Sequence, residues 1–148
     1  MPGKSSTRKS KPAKLPAALA PMMARPNWMT WRPVQRNGRV QKPPCQASNP
    51  RRFADYTNPD HRSDYVTARA AVEAGNANGL TYATTEGDEL AAIDLDNCRD
   101  SDTGSIDPWA KRLLKGAKGA YVEISPSGTG LHVWGLTSNS TDKLHSND

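Results

Sequence analysis

Two short segments of the 148-residue chain carry residue types that can do chemistry. The first, Ile93-Asp94-Leu95-Asp96, sets two carboxylates among apolar residues. The second, Ser125-Pro126-Ser127-Gly128-Thr129-Gly130-Leu131-His132, is a glycine-rich stretch that ends in a histidine. On a strand, residues two apart share a face and lie about 7 Å apart at their bases. Asp94 and Asp96 can therefore converge on one Mg2+ or bridge two ions about 3.5–4 Å apart. Mg2+ takes one or two carboxylates together with phosphate oxygens and water, so the pair suffices where a substrate brings phosphates. The second segment suits that substrate. Gly128 and Gly130 permit positive φ and close approach of a phosphate, Ser125, Ser127 and Thr129 add hydroxyls, and His132 can donate to a triphosphate oxygen. Carboxylates for a divalent metal and a loop for phosphates together predict nucleotidyl transfer with Mg2+ or Mn2+ as cofactor.

Each half alone has a plainer reading. Asp94 and Asp96 could be the polar end of a strand, and Pro-Gly turn chemistry explains a hairpin without a ligand. An EF-hand fails over 94–104, because its third ligand position falls on Cys98 and its glycine position on Arg99. The glycine loop is no Walker motif, since no Lys-Ser/Thr pair follows it.

The surrounding elements must hold the two segments together. Leu90 to Asp96 reads as a strand with Leu90, Ala92, Asp94 and Asp96 on one face and Ala91, Ile93 and Leu95 on the other. Ala120 to Ile124 and Leu131 to Leu136 read as strands joined by the SPSGTG loop; in the second, His132 shares a face with Trp134 and Leu136. Residues 97–106 form a polar loop, and Asp107-Pro108 opens a helix, with Pro108 suited to its first position. Upstream, residues 64–75 predict a helix with Asp64 as N-cap, Gly75 as terminator, and Tyr65, Ala68 and Val72 at helical spacing. Gly79 to Thr84 reads as a strand, joined to Leu90 to Asp96 by Glu86-Gly87-Asp88. Residues 27–34 alternate apolar and polar side chains, Asn37-Gly38 marks a tight turn, and Arg39 to Lys42 returns as a second strand. Residues 43–63 read as a loop, and 15–24 as a short amphipathic lead-in helix or loop. Strands and helices in this order predict an α+β domain over 15–136: a mixed sheet with flanking helices.

Charge divides the chain. Residues 1–54 hold twelve Lys/Arg and no acid, and the remainder is acidic. A basic arm on an acidic body suits a polyanion such as nucleic acid. Residues 1–14 read as a disordered basic tail and 137–148 as a disordered polar tail. Cys45 and Cys98 form no CxxC pattern and read as reduced thiols, which places the protein in the cytoplasm. No apolar run reaches the roughly 20 residues of a membrane span.

Taken together, the two segments resemble the archaeo-eukaryotic primase superfamily, in its phage and plasmid branch of bifunctional primase-polymerase domains. Ile93-Asp94-Leu95-Asp96 is similar to that family's first motif, and Ser125 to His132 to its second. LDNCRDSDTGSIDPWA resembles the linker that follows the first motif, and WMTWRPVQRNGRVQKPP the family's opening hairpin. The resemblance implies an RRM-like catalytic core beside a smaller N-terminal subdomain. It implies that Asp94 and Asp96 hold divalent ions, that His132 and the 127–130 loop bind the phosphates of an incoming nucleoside triphosphate, and that Lys42 and Arg99 are further phosphate contacts. DNA template and primer would be partners, with a helicase module in a longer version. The family's third motif, another acid on a strand downstream of the histidine, has no clear counterpart. Asp142 and Asp148 lie in polar sequence, and Glu123 lies just before the loop. The expectation is a primase-polymerase domain incomplete at its C-terminus. The alternatives are a catalytically inactive nucleic-acid- or nucleotide-binding remnant, using the basic arm and the Arg25 to Arg52 stretch, and an accessory phage protein that keeps only the fold.

Overall fold

Short antiparallel strands dominate, because turn residues interrupt the chain every few positions. The computed structural model describes residues 15–86 and 88–136. These fall into two units, one ending at Ala83 and one starting at Thr84. The expected tails, 1–14 and 137–148, lie outside the described residues, as do Gly87 of the 86–88 connection, Asp142 and Asp148.

The first unit begins with a 3-10 helix, Ala17–Ala24, that buries Leu19 and Met22. A 3-10 helix stacks residues three apart, which suits this pair. Strand β1 (Trp28–Trp31) follows, and Trp28 donates its indole N–H to the Met22 carbonyl at 2.9 Å. The strand expected over 27–34 stops at Trp31, before Arg32-Pro33. The chain resumes as β2 (Val34–Arg36), which turns through Asn37 (φ 50°) and Gly38 (φ 72°) into β3 (Arg39–Gln41). The predicted tight turn therefore forms, but it closes a separate two-stranded ribbon.

The loop expected over 43–63 is corrected by two strands, β4 (Pro44–Gln46) and β5 (Asn49–Phe53), and a 3-10 turn at Pro59–His61. Strand β5 is the edge of the four-stranded antiparallel sheet β5-β4-β1-β6, where β6 is Gly79–Tyr82. An edge strand tolerates proline and polar residues on both faces. Asn49-Pro50-Arg51-Arg52 thus carries no alternating apolar pattern.

Helix α1 (Tyr65–Glu73) forms as predicted. Asp64 accepts from the Thr67 N–H at 2.7 Å, and Gly75 takes φ 75° just past the end. It buries Tyr65, Ala68 and Ala71; Val72 is half-buried. Tyr65 and Tyr82 meet the Trp28 ring edge-on, with centroids 5.0 and 5.1 Å away.

The second unit has one three-stranded antiparallel sheet, β7-β9-β8, from β7 (Leu90–Leu95), β8 (Tyr121–Ile124) and β9 (Leu131–Leu136). Helix α2 (Pro108–Gly116) has Pro108 at its start, as expected. Leu95, Cys98, Ala110, Leu131 and Val133 form the core, with Ile106 and Leu114 packed against it. Strands β6 and β7 are not partners: β6 pairs with β1, and β7 with β9. Every ladder among the described residues is antiparallel, where a mixed sheet was expected; the α+β class stands. Both cysteines are buried free thiols. No helix among the described residues is long and apolar enough to cross a membrane.

Candidate active site

The candidate site occupies one face of the second unit's sheet. Leu131 and Val133 turn into the core, so strand alternation sends His132 and Trp134 to the opposite face. The register puts Asp94 on β7 opposite His132, and Glu123 on β8 opposite the same residue. Three titratable side chains thus form a row across the sheet, with His132 in the middle. The next row, Ala92, Trp134 and Tyr121, lies beside it.

His132 is tied more closely to Glu123 than to Asp94. Its Nδ1 lies 3.2 Å from Glu123 Oε1, and its Nε2 lies 3.7 Å from Asp94 Oδ1, beyond hydrogen-bond range. Trp134 donates its indole N–H to the same Glu123 oxygen at 3.2 Å. Tyr121 completes the surroundings. Partial burial first, then the charge of Glu123 and a hydrogen bond to it, push the tyrosine hydroxyl above its usual range. Glu123 is therefore a carboxylate among aromatic donors. With Nδ1 engaged there, Nε2 is the ring nitrogen on the Asp94 side.

Asp94 keeps most of its surface open, with its side chain 62% accessible. Strand β7 ends at Leu95, one residue short of the expected Asp96, which enters a turn followed by Asn97 at φ 50°. Asp96 is exposed beside the loop: a Cβ placed on Gly130 would stand 3.6 Å from Asp96 Cα and 2.8 Å from the Leu95 carbonyl oxygen. Only glycine lets the loop approach β7 so closely, which is a packing reason for Gly130 independent of any ligand.

The SPSGTG loop is held largely from within. The N–H of Gly128 donates to the Ser125 carbonyl, that of Thr129 to Ser127 Oγ, and that of Gly130 to Ser125 Oγ. Backbone donors expected to face a phosphate are thus already engaged at these three positions. The hydroxyls form a chain instead: Ser125 to Ser127 at 2.7 Å and Ser127 to Thr129 at 3.1 Å. Ser125 is buried, while Ser127 is exposed and Thr129 half-exposed. Gly128, at φ 81°, closes the turn in a conformation that favours glycine.

Arg99 fastens the linker to this loop. Its guanidinium donates to the Gly128 carbonyl at 2.7 Å, and its backbone N–H to the Thr129 carbonyl at 3.0 Å. Asp100 then accepts from the N–H groups of Thr103 and Asp102, which hold its carboxyl below the usual range. Cys98 sits beneath, its thiol 3.2 Å from the Leu95 carbonyl. The expected phosphate contact at Arg99 is thus a structural clamp in this conformation. Lys42 belongs to the other unit, where its ammonium lies 5.4 Å from the centre of the Trp31 ring.

The structure therefore brings Asp94 and His132 together and sets Asp96 beside the loop. It also reveals Glu123 as the nearest partner of His132. The alternation Tyr121-x-Glu123 and His132-x-Trp134 was the available signal, but only the strand order shows that the two pairs meet. Among the described residues, no group of three or more His, Cys, Asp or Glu is arranged to hold a metal ion.

No protein-family model matches the chain. The chain is 38% identical over 106 residues, or 72% of its length, to a DNA primase-polymerase of the Nitratiruptor phage NrS-1. It spans only 14% of that protein's length. This likeness supports a primase-polymerase relationship for the chain, in agreement with the motif resemblance.

Proposed function

We propose that this chain carries the nucleotide-binding half of a primase-polymerase site, for metal-dependent nucleotidyl transfer from nucleoside triphosphates during replication or priming of a mobile element. The observation that carries the reading is the row Asp94–His132–Glu123 beside the hydroxyls of the SPSGTG loop. The donor set fits Mg2+ or Mn2+ arriving with a triphosphate better than a resident ion. Asp94 and Asp96 are both exposed, and the third acid, Glu123, is screened from Asp94 by the histidine ring. Two carboxylates with phosphate oxygens and water make a suitable shell.

Asp94 and Asp96 hold the ion, which when bound neutralises triphosphate charge and activates the attacking hydroxyl. His132 directs Nε2 toward the phosphates, and Ser127 and Thr129 supply hydroxyl contacts. Glu123 is a positioning residue: by accepting from Nδ1 it fixes the ring's orientation. Arg99 and Gly130 hold the loop against β7. DNA template and primer are the proposed partners.

Equilibrium binding of a labelled nucleoside triphosphate, with and without Mn2+, tests the reading. Metal-dependent binding that is lost in Asp94→Ala/Asp96→Ala supports it; binding indifferent to both metal and substitution contradicts it. Primer extension then separates an active domain from the binding-only alternative.

A further inference from the structure

A second charged surface lies in the first unit. Residues 1–54 contain no acid, and the strands drawn from this stretch gather its arginines. In the β2–β3 ribbon, Arg36 stands directly opposite Arg39 at the turn. Like charges at opposed positions repel. The Phe53 ring, at the end of β5, draws in two guanidinium groups: Arg32 at 5.0 Å and Arg36 at 5.3 Å from the ring centre. Arg51 and Arg52 are exposed on the same edge strand. None of these five arginines has a carboxylate partner among the described residues. The Arg32 Nε is buried without a hydrogen-bond partner.

The arrangement holds like charges together around an aromatic ring and supplies no internal counter-charge. A polyanion supplies it. The neighbouring surface is also apolar where it is open: Phe53 is 43% and Val40 58% exposed. Guanidinium planes and open apolar side chains offer base faces something to lie on, and a duplex keeps its base faces hidden. We infer that the β2–β3 ribbon and strand β5 form a binding surface for single-stranded nucleic acid, with Arg36, Arg39 and Arg52 on the phosphates and Phe53 fixing the spacing of the guanidinium groups. This surface stands apart from the nucleotidyl-transfer reading and needs neither metal nor nucleotide.

The test is fluorescence anisotropy of a labelled 20-nucleotide oligothymidylate with the full chain, in a metal chelator, across a salt series. Each neutralised single-strand phosphate contributes about 0.7 to the slope of log affinity against log salt. Arg36→Ser/Arg39→Ser/Arg52→Ser is expected to weaken binding at least tenfold near 0.1 M salt and to lower that slope by about 2. Phe53→Ala, with folding checked by circular dichroism, is expected to weaken binding severalfold. A full-length variant with Lys4, Arg8, Lys9, Lys11 and Lys14 changed to serine is expected to retain the binding that the triple variant loses. Three results would overturn the inference: unchanged binding in the triple variant, complete loss in the tail variant alone, or equal affinity for a duplex of the same length. Because metal is absent throughout, failure here leaves the Asp94 site untouched, and failure of that site leaves this one.

Discussion

The two units build opposite electrostatics from the same device, short antiparallel strands. Up to Ala83 the chain carries fourteen Lys/Arg against four acids, a net +10; from Thr84 it carries six against eleven, a net −5. In the first unit four of these cations, Arg36, Arg39, Arg51 and Arg52, sit exposed on a ribbon and an edge strand that bury little. In the second, Asp94 and Glu123 sit with His132 on one face of a sheet whose other face holds the core. The contrast separates two ways of using charge. Exposed cations on open hairpins give affinity that salt can titrate away. A row of side chains on a sheet backed by a core gives fixed geometry, and there the position of one atom matters more than net charge.

The comparison can be broken most severely at His132. If geometry rules the second unit, His132→Ala should weaken metal-dependent nucleotide binding about 10- to 100-fold, the cost of a lost hydrogen bond to a charged group. Oligothymidylate binding in chelator should be unchanged. Equal loss of both would mean that the units do not divide the work.

Gly130→Ala should come next. Its Cβ would meet the Leu95 carbonyl at 2.8 Å, so loop and strand must separate, at a cost of about 1–3 kcal/mol. Denaturant unfolding should show the destabilisation, and nucleotide affinity should fall with it.

A smaller effect distinguishes position from charge at Glu123. Glu123→Gln keeps an oxygen that can accept from His132 and Trp134, and should hold nucleotide affinity within about threefold of wild type. Glu123→Ala removes the acceptor and should cost about 1 kcal/mol per lost hydrogen bond. If Gln and Ala behave alike, the carboxylate's charge matters and Glu123 is more than a positioning residue.

The smallest expected effect is on acid stability. Bonds from Thr67 hold the Asp64 carboxyl below its usual titration range, and bonds from Thr103 and Asp102 do the same for Asp100. A carboxyl depressed in the fold adds stability that is fully present above its unfolded value, about 3.9, and is lost as pH falls through the folded value. Asp64→Ala should therefore lower the melting temperature by a few degrees at pH 7 and by less near pH 3, whereas Asp64→Asn, which still caps α1, should lower it less at pH 7.

The sequence was most readable where local chemistry decides structure. Asp107-Pro108 starts α2, Asp64 and Gly75 bound α1, and the SPSGTG loop joins β8 to β9, all as the residue types demand. Legibility failed where pairing decides. Asn49 to Phe53 became an edge strand without any apolar alternation, because its partner β4 supplies the hydrogen bonds. The run over 27–34 divided at Arg32-Pro33 because β1 is taken by β4 and β6. At the candidate site, residue types pointed to Asp94, Asp96 and His132. They could not show that β9 lies between β7 and β8. That order makes Glu123 a neighbour of the histidine rather than of the two aspartates. The internal bonding of the loop's N–H groups was equally hidden, since it depends on where the Ser125 and Ser127 hydroxyls fold back.

The central claim is that Asp94 and Asp96 bind a nucleoside triphosphate through a divalent ion. Isothermal titration of the full chain with a nucleoside triphosphate in Mn2+, repeated in chelator and with Asp94→Ala/Asp96→Ala, tests it most directly. The account predicts binding that disappears in chelator and falls at least tenfold in the double variant. Binding of equal strength in all three experiments, or none in the first, would contradict it.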